Sequence, residues 1–188
     1  QGVSVNQNFS ITVSNTNDPP VFVSQPKTGA IQDQEYSYDI VTSDPDLGDS
    51  RDITGTTIPS WLTLTDNGNG TASLTGTPTN ADLGSNPVSI EVTDQSGAAT
   101  VQSFTINVDN ANDPPSFTSV PVTTATEDQL YEYSITTTDP DVGDTRTITA
   151  LSKPAWLTLT DYGDGTALLN GTPANEDVGN VTIVLNVE

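Results

Sequence analysis

Carboxylates at alternate positions are the feature of this chain with the clearest chemistry. Asp44-Pro45-Asp46-Leu47-Gly48-Asp49 recurs as Asp139-Pro140-Asp141-Val142-Gly143-Asp144. Alternate residues of a turn project to one side, where oxygen ligands can share a hard cation such as Ca2+. The glycine permits the bend that brings the third carboxylate around. The flanks carry strand patterns and no glutamate follows at helix-loop spacing, so this is not a helix-flanked calcium loop. A polar turn is the competing reading, because Asp, Pro and Gly favour turns without any ion.

A second acidic cluster is Asp109-Asn110-Ala111-Asn112-Asp113, followed by Pro114-Pro115. It concentrates carboxylates, amides and carbonyls where one strand-rich segment gives way to the next, and the prolines impose an extended exit. An ordinary polar linker would look the same. Weaker acidic positions flank turns: Asp33 and Asp128, Asp82 and Asp177, and Asp94.

Composition narrows the chemistry further. Of 188 residues, 25 are acidic and 4 basic, for a net charge of −21. Such a surface repels nucleic-acid phosphates and anionic lipid. It also repels itself, so a compact fold gains from bound cations; solubility or a salty habitat is the plainer explanation. There is no His and no Cys, which removes the usual general base, zinc ligands and disulfides. With no Met, residue 1 is read as an internal position of a longer or processed protein. No apolar run is long enough to span a membrane as a helix.

The organising element is a repeat. Asn17-Asp18-Pro19-Pro20 returns as Asn112-Asp113-Pro114-Pro115, Pro59-Ser60-Trp61-Leu62 as Pro154-Ala155-Trp156-Leu157, and Gly76-Thr77-Pro78 as Gly171-Thr172-Pro173, each at an offset of 95. More than half of the aligned positions are identical, so the copies share a fold. Phe9, Ile11 and Val13 match Phe104, Ile106 and Val108 at the same offset. Residues 1–16 therefore read as the last strand of a preceding repeat, 17–111 as repeat 1, and 112–188 as repeat 2 without its last strand.

Within a repeat the apolar residues alternate. Tyr36, Tyr38 and Ile40 do so, as do Val88, Ile90 and Val92, and then Phe104, Ile106 and Val108. Period 2 means half-buried strands. Asp66-Asn67-Gly68-Asn69-Gly70 and Gln95-Ser96-Gly97 are hairpin turns. About seven short strands per repeat predict an all-β fold of tandem immunoglobulin- or cadherin-like Greek-key sandwiches. Trp61 and Trp156 are expected in the core.

These motifs together (Asn112-Asp113-Pro114-Pro115, Asp139 to Asp144, Trp156-Leu157, Gly171-Thr172-Pro173 and Val92-Thr93-Asp94) resemble bacterial cadherin-like repeats of the dystroglycan type and putative immunoglobulin-like surface repeats. In cadherin repeats calcium sits at each junction and stiffens the rod. The resemblance implies a central junction built from Asp33, Asp82, Asn110, Asn112, Asp113, Asp139, Asp141 and Asp144, with a backbone carbonyl the expected ligand at Asp144. It implies outer-junction ligands at Asn15, Asn17, Asp18, Asp44, Asp46, Asp49, Asp94, Asp128 and Asp177, completed by a neighbouring chain or repeat. The linker departs from the cadherin Asp-x-Asn-Asp-Asn pattern: its first acid is displaced to Asp109 and its last Asn is replaced by Pro114. Copy 1 has Gln32 where copy 2 has Glu127. These changes imply fewer or weaker ions.

The expected function is structural: a module of a secreted or cell-surface bacterial adhesin or extracellular fibre, with calcium as the bound ion and identical repeats or chains as head-to-tail partners. The alternative is a carbohydrate-binding accessory module, with polysaccharide as partner and Tyr162 as a stacking residue. An enzyme is not expected, since the paired carboxylates recur in both copies and lie in turns. Residues 1–16 are also read as a donor strand for repeat 2 of a neighbouring chain.

Overall fold

Alternating patterns become strands because each pleat sends successive side chains to opposite faces. In the computed structural model, which describes residues 1–46 and 48–188, two compact units form: Gln1–Ala111 and Asn112–Glu188. Among the described residues no α-helix occurs.

Unit 1 contains β1 (Val21–Phe22), β2 (Gly29–Ile31), β3 (Tyr36–Ser43), β4 (Arg51–Thr57), β5 (Leu62–Asp66), β6 (Thr71–Gly76), β7 (Gly84–Asp94) and β8 (Ala99–Asp109). One sheet runs β1-β3-β6-β5 and the other β2-β8-β7-β4. All pairs are antiparallel except β2 with β8. Counting the two short strands β1 and β2 separately, the sandwich has eight strands rather than seven.

The inward faces of the two sheets interdigitate. Tyr36, Ile40, Leu74, Val88, Ile90, Val92 and Ile106 are buried almost completely, each aliphatic among them contributing about 1.5–3 kcal/mol of transfer free energy. Phe104 is only half-buried, its ring edge-on to Tyr38 at 5.8 Å.

Unit 2 repeats this plan with fewer strands: β9 (Ser116–Phe117), β10 (Tyr131–Thr138), β11 (Ile148–Ser152), β12 (Leu157–Asp161), β13 (Thr166–Gly171) and β14 (Val184–Val187). One sheet runs β12-β13-β10-β9; the second holds only β11 and β14. Its core is Tyr131, Tyr133, Ile135, Ile148, Leu157, Ala167 and Leu169.

The tryptophans are half-buried, not fully buried as expected. Each packs edge-on against a tyrosine, Trp61 on Tyr36 and Trp156 on Tyr131. Their carbonyls explain Gly76 and Gly171: a Cβ at either position would lie 2.0 Å from the backbone oxygen of Trp61 or Trp156.

Residues 1–16 are exposed and form no strand, with Phe9, Ile11 and Val13 at 76, 77 and 88% exposure.

Candidate metal centre

The turn after β3 folds as the Asp-Pro-Asp pattern dictates. Asp44 accepts the backbone N–H of Asp46 at 2.8 Å, an Asx turn that curls the chain so the next carboxylate points back. Asp49 N–H then bonds the Asp46 carbonyl at 3.4 Å. Asp46 ends up 8% exposed, unusual for a carboxylate.

Three residues of the preceding segment converge on it. Asn15 Nδ2 donates to Asp46 Oδ1 at 2.7 Å, and the Asp18 amide to Asp46 Oδ2 at 2.7 Å. Asn17 Nδ2 donates to Asp94 Oδ2 at 2.8 Å. Asp94, at the end of β7, also accepts the amides of Ser96 and Ala98, at 2.9 and 2.8 Å. Unit 1 thus brings Asn15, Asn17, Asp18, Asp44, Asp46, Asp49 and Asp94 to one end.

The electrostatics match that crowding. Partial desolvation first, then the carboxylates of Asp44, Asp46 and Asp94, hold Asp49 above its ordinary value of 3.8. The Asn17 amide first, helped by the backbone amides of Ala98, Ser96 and Gly97, holds Asp94 below it.

In unit 2 the same turn recurs with nearly the same distances. Asp139 accepts the Asp141 amide at 2.9 Å, Asp141 Oδ2 accepts the Asp113 amide at 2.6 Å, and Asp144 N–H bonds the Asp141 carbonyl at 3.3 Å. Oxygens of Asp139, Asp141 and Asp144 lie within 4.8 Å of one another. Asp141 is 4% exposed, and its Oδ1 is buried without a hydrogen-bond partner; Asp44 Oδ2 is likewise buried and unpaired. A buried carboxylate oxygen with no donor is costly, and a hard cation bound through oxygens at about 2.3–2.6 Å removes that cost. The residues present therefore fit Ca2+. The amides of Asn15 and Asn17 offer nitrogen to the carboxylates here; half a turn about χ2 would present oxygen instead.

The remaining predicted positions hold the turns at the other end of each repeat. Asp33 and Asp128 both take φ of 58°, and their amides bond the carbonyls of Pro78 and Pro173 at 2.9 Å. Asp82 Oδ2 accepts the amide and hydroxyl of Thr79, each at 2.8 Å, and Asp177 Oδ2 accepts the Ala174 amide at 2.9 Å. Asn112 Nδ2 bonds the Asp113 carbonyl at 3.1 Å. Asn110 is exposed next to Ala111, whose amide bonds Gln32 Oε1 at 3.5 Å. Gln32 is 1% exposed and donates its own amide to the Asp109 carbonyl at 2.9 Å. Its structural part was unmarked in the sequence beyond its replacement by Glu127. The amides of Ser96 and Ala98 were likewise missed, because a backbone donor leaves no mark on residue type.

Residues 19–109 and 114–188 match the family described as Putative Ig domain. Among solved structures, the chain is similar to PcdhgB3 EC1-4, with 15% identity over 90% of this chain and 45% of that one, at a TM-score of 0.62. Protocadherin Gamma B2 extracellular cadherin domains 3-6 match with 14% identity over 90% and 43%, at 0.60. The endo-fucoidan hydrolase MfFcnA4_H294Q of glycoside hydrolase family 107 matches with 30% identity over 90% of this chain, at 0.47. The chain spans 26 to 32% of the fucoidan hydrolases it matches. No curated protein sequence matches it.

Proposed function

Because the chain belongs to the Putative Ig domain family across both repeats, we propose that it is a structural, non-catalytic tandem repeat of a secreted or cell-surface protein that binds calcium at its acidic turns. The fold is that of immunoglobulin- and cadherin-like repeats. The observation that carries the calcium reading is Asp141: buried, flanked by Asp139 and Asp144, with one oxygen lacking any donor. Unit 1 supports it independently through Asp44 Oδ2.

The ion's role is to neutralise carboxylates that otherwise repel, and so to order the segments hydrogen-bonded to them. Asn15 to Asp18 in unit 1 and Asp113 in unit 2 are those segments. Extracellular calcium modules work at weak affinity, on the order of 10⁻⁴–10⁻³ M, and the adhesin or fibre role follows from stiffening a repeat array. Calorimetric titration of Ca2+ into chelator-treated protein tests this. Saturable heat that vanishes in Asp141→Asn is expected; no heat above dilution would refute the site.

A second reading, a carbohydrate-binding accessory module, draws on Tyr162. This ring is 57% exposed at the β12–β13 tip, a position occupied by Asn67 in repeat 1, and an exposed aromatic face can stack on a sugar ring. Retardation in polysaccharide affinity gels, lost in Tyr162→Ala, would favour it.

A further inference from the structure

Unit 2 has an open groove of about 910 Å³ where unit 1 has a strand. Tyr131, Tyr133, Trp156, Leu169, Ile183 and Leu185 line it. At the corresponding place in unit 1, β8 lies between β2 and β7, with Ile106 and Val108 buried and Phe104 against Tyr38. No segment of unit 2 takes that position among the described residues.

The consequences fall on the residues β8 would touch. Val88, Ile90 and Val92 are buried in unit 1, whereas Ile183, Leu185 and Val187 are only half-buried in unit 2. The stretch Gly84–Val88 is strand, paired with β8; its counterpart, residues 179–183, is irregular. Strand β2 pairs with β8 and buries Ala30, while residues 124–126 form no strand and leave Ala125 exposed. The Tyr38 hydroxyl donates to Gln102 Oε1 at 3.0 Å; that of Tyr133 turns to the Ser119 carbonyl at 3.4 Å.

We propose that this groove is an acceptor site for a β-strand, and that residues 5–13 of a second copy of this chain fill it. That segment carries the β8 pattern in register: Gln7, Phe9, Ile11 and Val13 stand for Gln102, Phe104, Ile106 and Val108. Transferring the β7–β8 register sets Phe9 opposite Ile183, Ile11 opposite Val181 and Val13 opposite Gly179. The β2–β8 register sets Val13 beside Ala125 in parallel. Gln7 then meets Tyr133 as Gln102 meets Tyr38. Main-chain hydrogen bonds supply affinity and the alternate apolar side chains supply specificity.

Two features favour this occupant. Residues 1–17 contain no acidic or basic side chain, so the strand approaches a chain of net charge −21 without repulsion. Phe9, Ile11 and Val13 are at least 76% exposed, so the chain's own donor segment does not fill its own groove. The contact pairs different surfaces of the two copies and is heterologous, giving a ring if it closes and a fibre if it does not.

Sedimentation of the full 188-residue chain and of Ile11→Asp tests assembly; the variant alters only an exposed side chain. Wild type should form concentration-dependent oligomers, and Ile11→Asp should stay monomeric. Adding a synthetic peptide of residues 1–16 to Ile11→Asp should slow amide exchange in 179–187 by on the order of tenfold or more. A peptide carrying Phe9→Asp and Ile11→Asp should not. Wild type that stays monomeric, identical sedimentation of the two proteins, or no protection by the peptide would overturn the proposal. A monomer whose residues 9–13 are protected would also overturn it, since the strand would then be filling its own groove.

Discussion

The indole N–H of Trp61 donates to Asn86 Oδ1 at 3.0 Å, whereas the indole N–H of Trp156 is buried without a partner. The difference is one residue: Val181 stands where repeat 1 has Asn86. Asn86 also donates to the carbonyls of Asp82 and Gly84, at 2.7 and 3.0 Å. It thereby ties the tryptophan to the start of β7. Asn86→Val should leave that indole unpaired and cost unit 1 about 1–3 kcal/mol, read from denaturant unfolding followed by tryptophan fluorescence. An unchanged midpoint would mean that water replaces the amide at no cost.

The carboxylate turns predict a calcium effect confined to the unit that is altered. Asp139→Asn with Asp141→Asn should abolish the calcium-dependent rise in melting temperature of unit 2, leaving that of unit 1 intact. Asp44→Asn with Asp46→Asn should do the reverse. With ligand at about 100 times Kd, the lost stabilisation is about 2.7 kcal/mol. Scanning calorimetry with calcium and with chelator makes the comparison. Equal melting of the parent protein in both conditions would remove calcium from the account.

Much of this was legible in residue order. Alternation in Tyr36-Ser37-Tyr38-Asp39-Ile40 marks β3 because one face is buried and the other is not. Asp44-Pro45-Asp46 declares its turn because an Asx side chain bonds the amide two residues on. The half-burial of Trp61 was not legible: residue type records apolar bulk, while the sheet edge on which the ring rests depends on packing. Nor was the pairing of Asn15 with Asp46, which are 31 residues apart in the chain. The strands β1 and β2 were missed as separate elements because two or three residues are too few to show a period.

Acid should act on the hairpin of unit 2 and spare that of unit 1. Asp164 accepts from the hydroxyl and amide of Thr166; the hydroxyl first, then the amide, hold it below the ordinary 3.8, with Arg146 adding a smaller pull. A lowered folded value means the bonded carboxylate contributes stability above about pH 3.8 and loses it as pH falls through the lowered value. Repeat 1 has neutral Asn69 in this role, accepting from Thr71 at 3.1 and 2.7 Å. Asp164→Asn should therefore flatten the acid limb of unit 2. Carboxyl chemical shifts followed across the titration check the direction; an Asp164 midpoint at or above 3.8 would contradict it.

The two tryptophan carbonyls allow one substitution to be placed in two unequal cores. A Cβ at Gly76 or Gly171 meets the carbonyl oxygen of Trp61 or Trp156 at 2.0 Å. The obstacle is backbone, so no side chain can swing away, and the strand pairs Leu62 with Gly76 and Leu157 with Gly171 must part. Overpacking of this kind costs about 1–3 kcal/mol and sometimes more. Unit 1 has Val88, Ile90, Val92, Ile106 and Val108 buried to absorb it. In unit 2 the equivalents of the first three are half-buried and β8 has no counterpart. Gly76→Ala should thus lower the melting temperature of unit 1 without unfolding it. Gly171→Ala should leave unit 2 unfolded at room temperature, with unit 1 melting as before. Amide spectra resolve the two units: loss of dispersion confined to residues 112–188 is the expected result, and a fully dispersed Gly171→Ala spectrum would show that the strands yield at little cost.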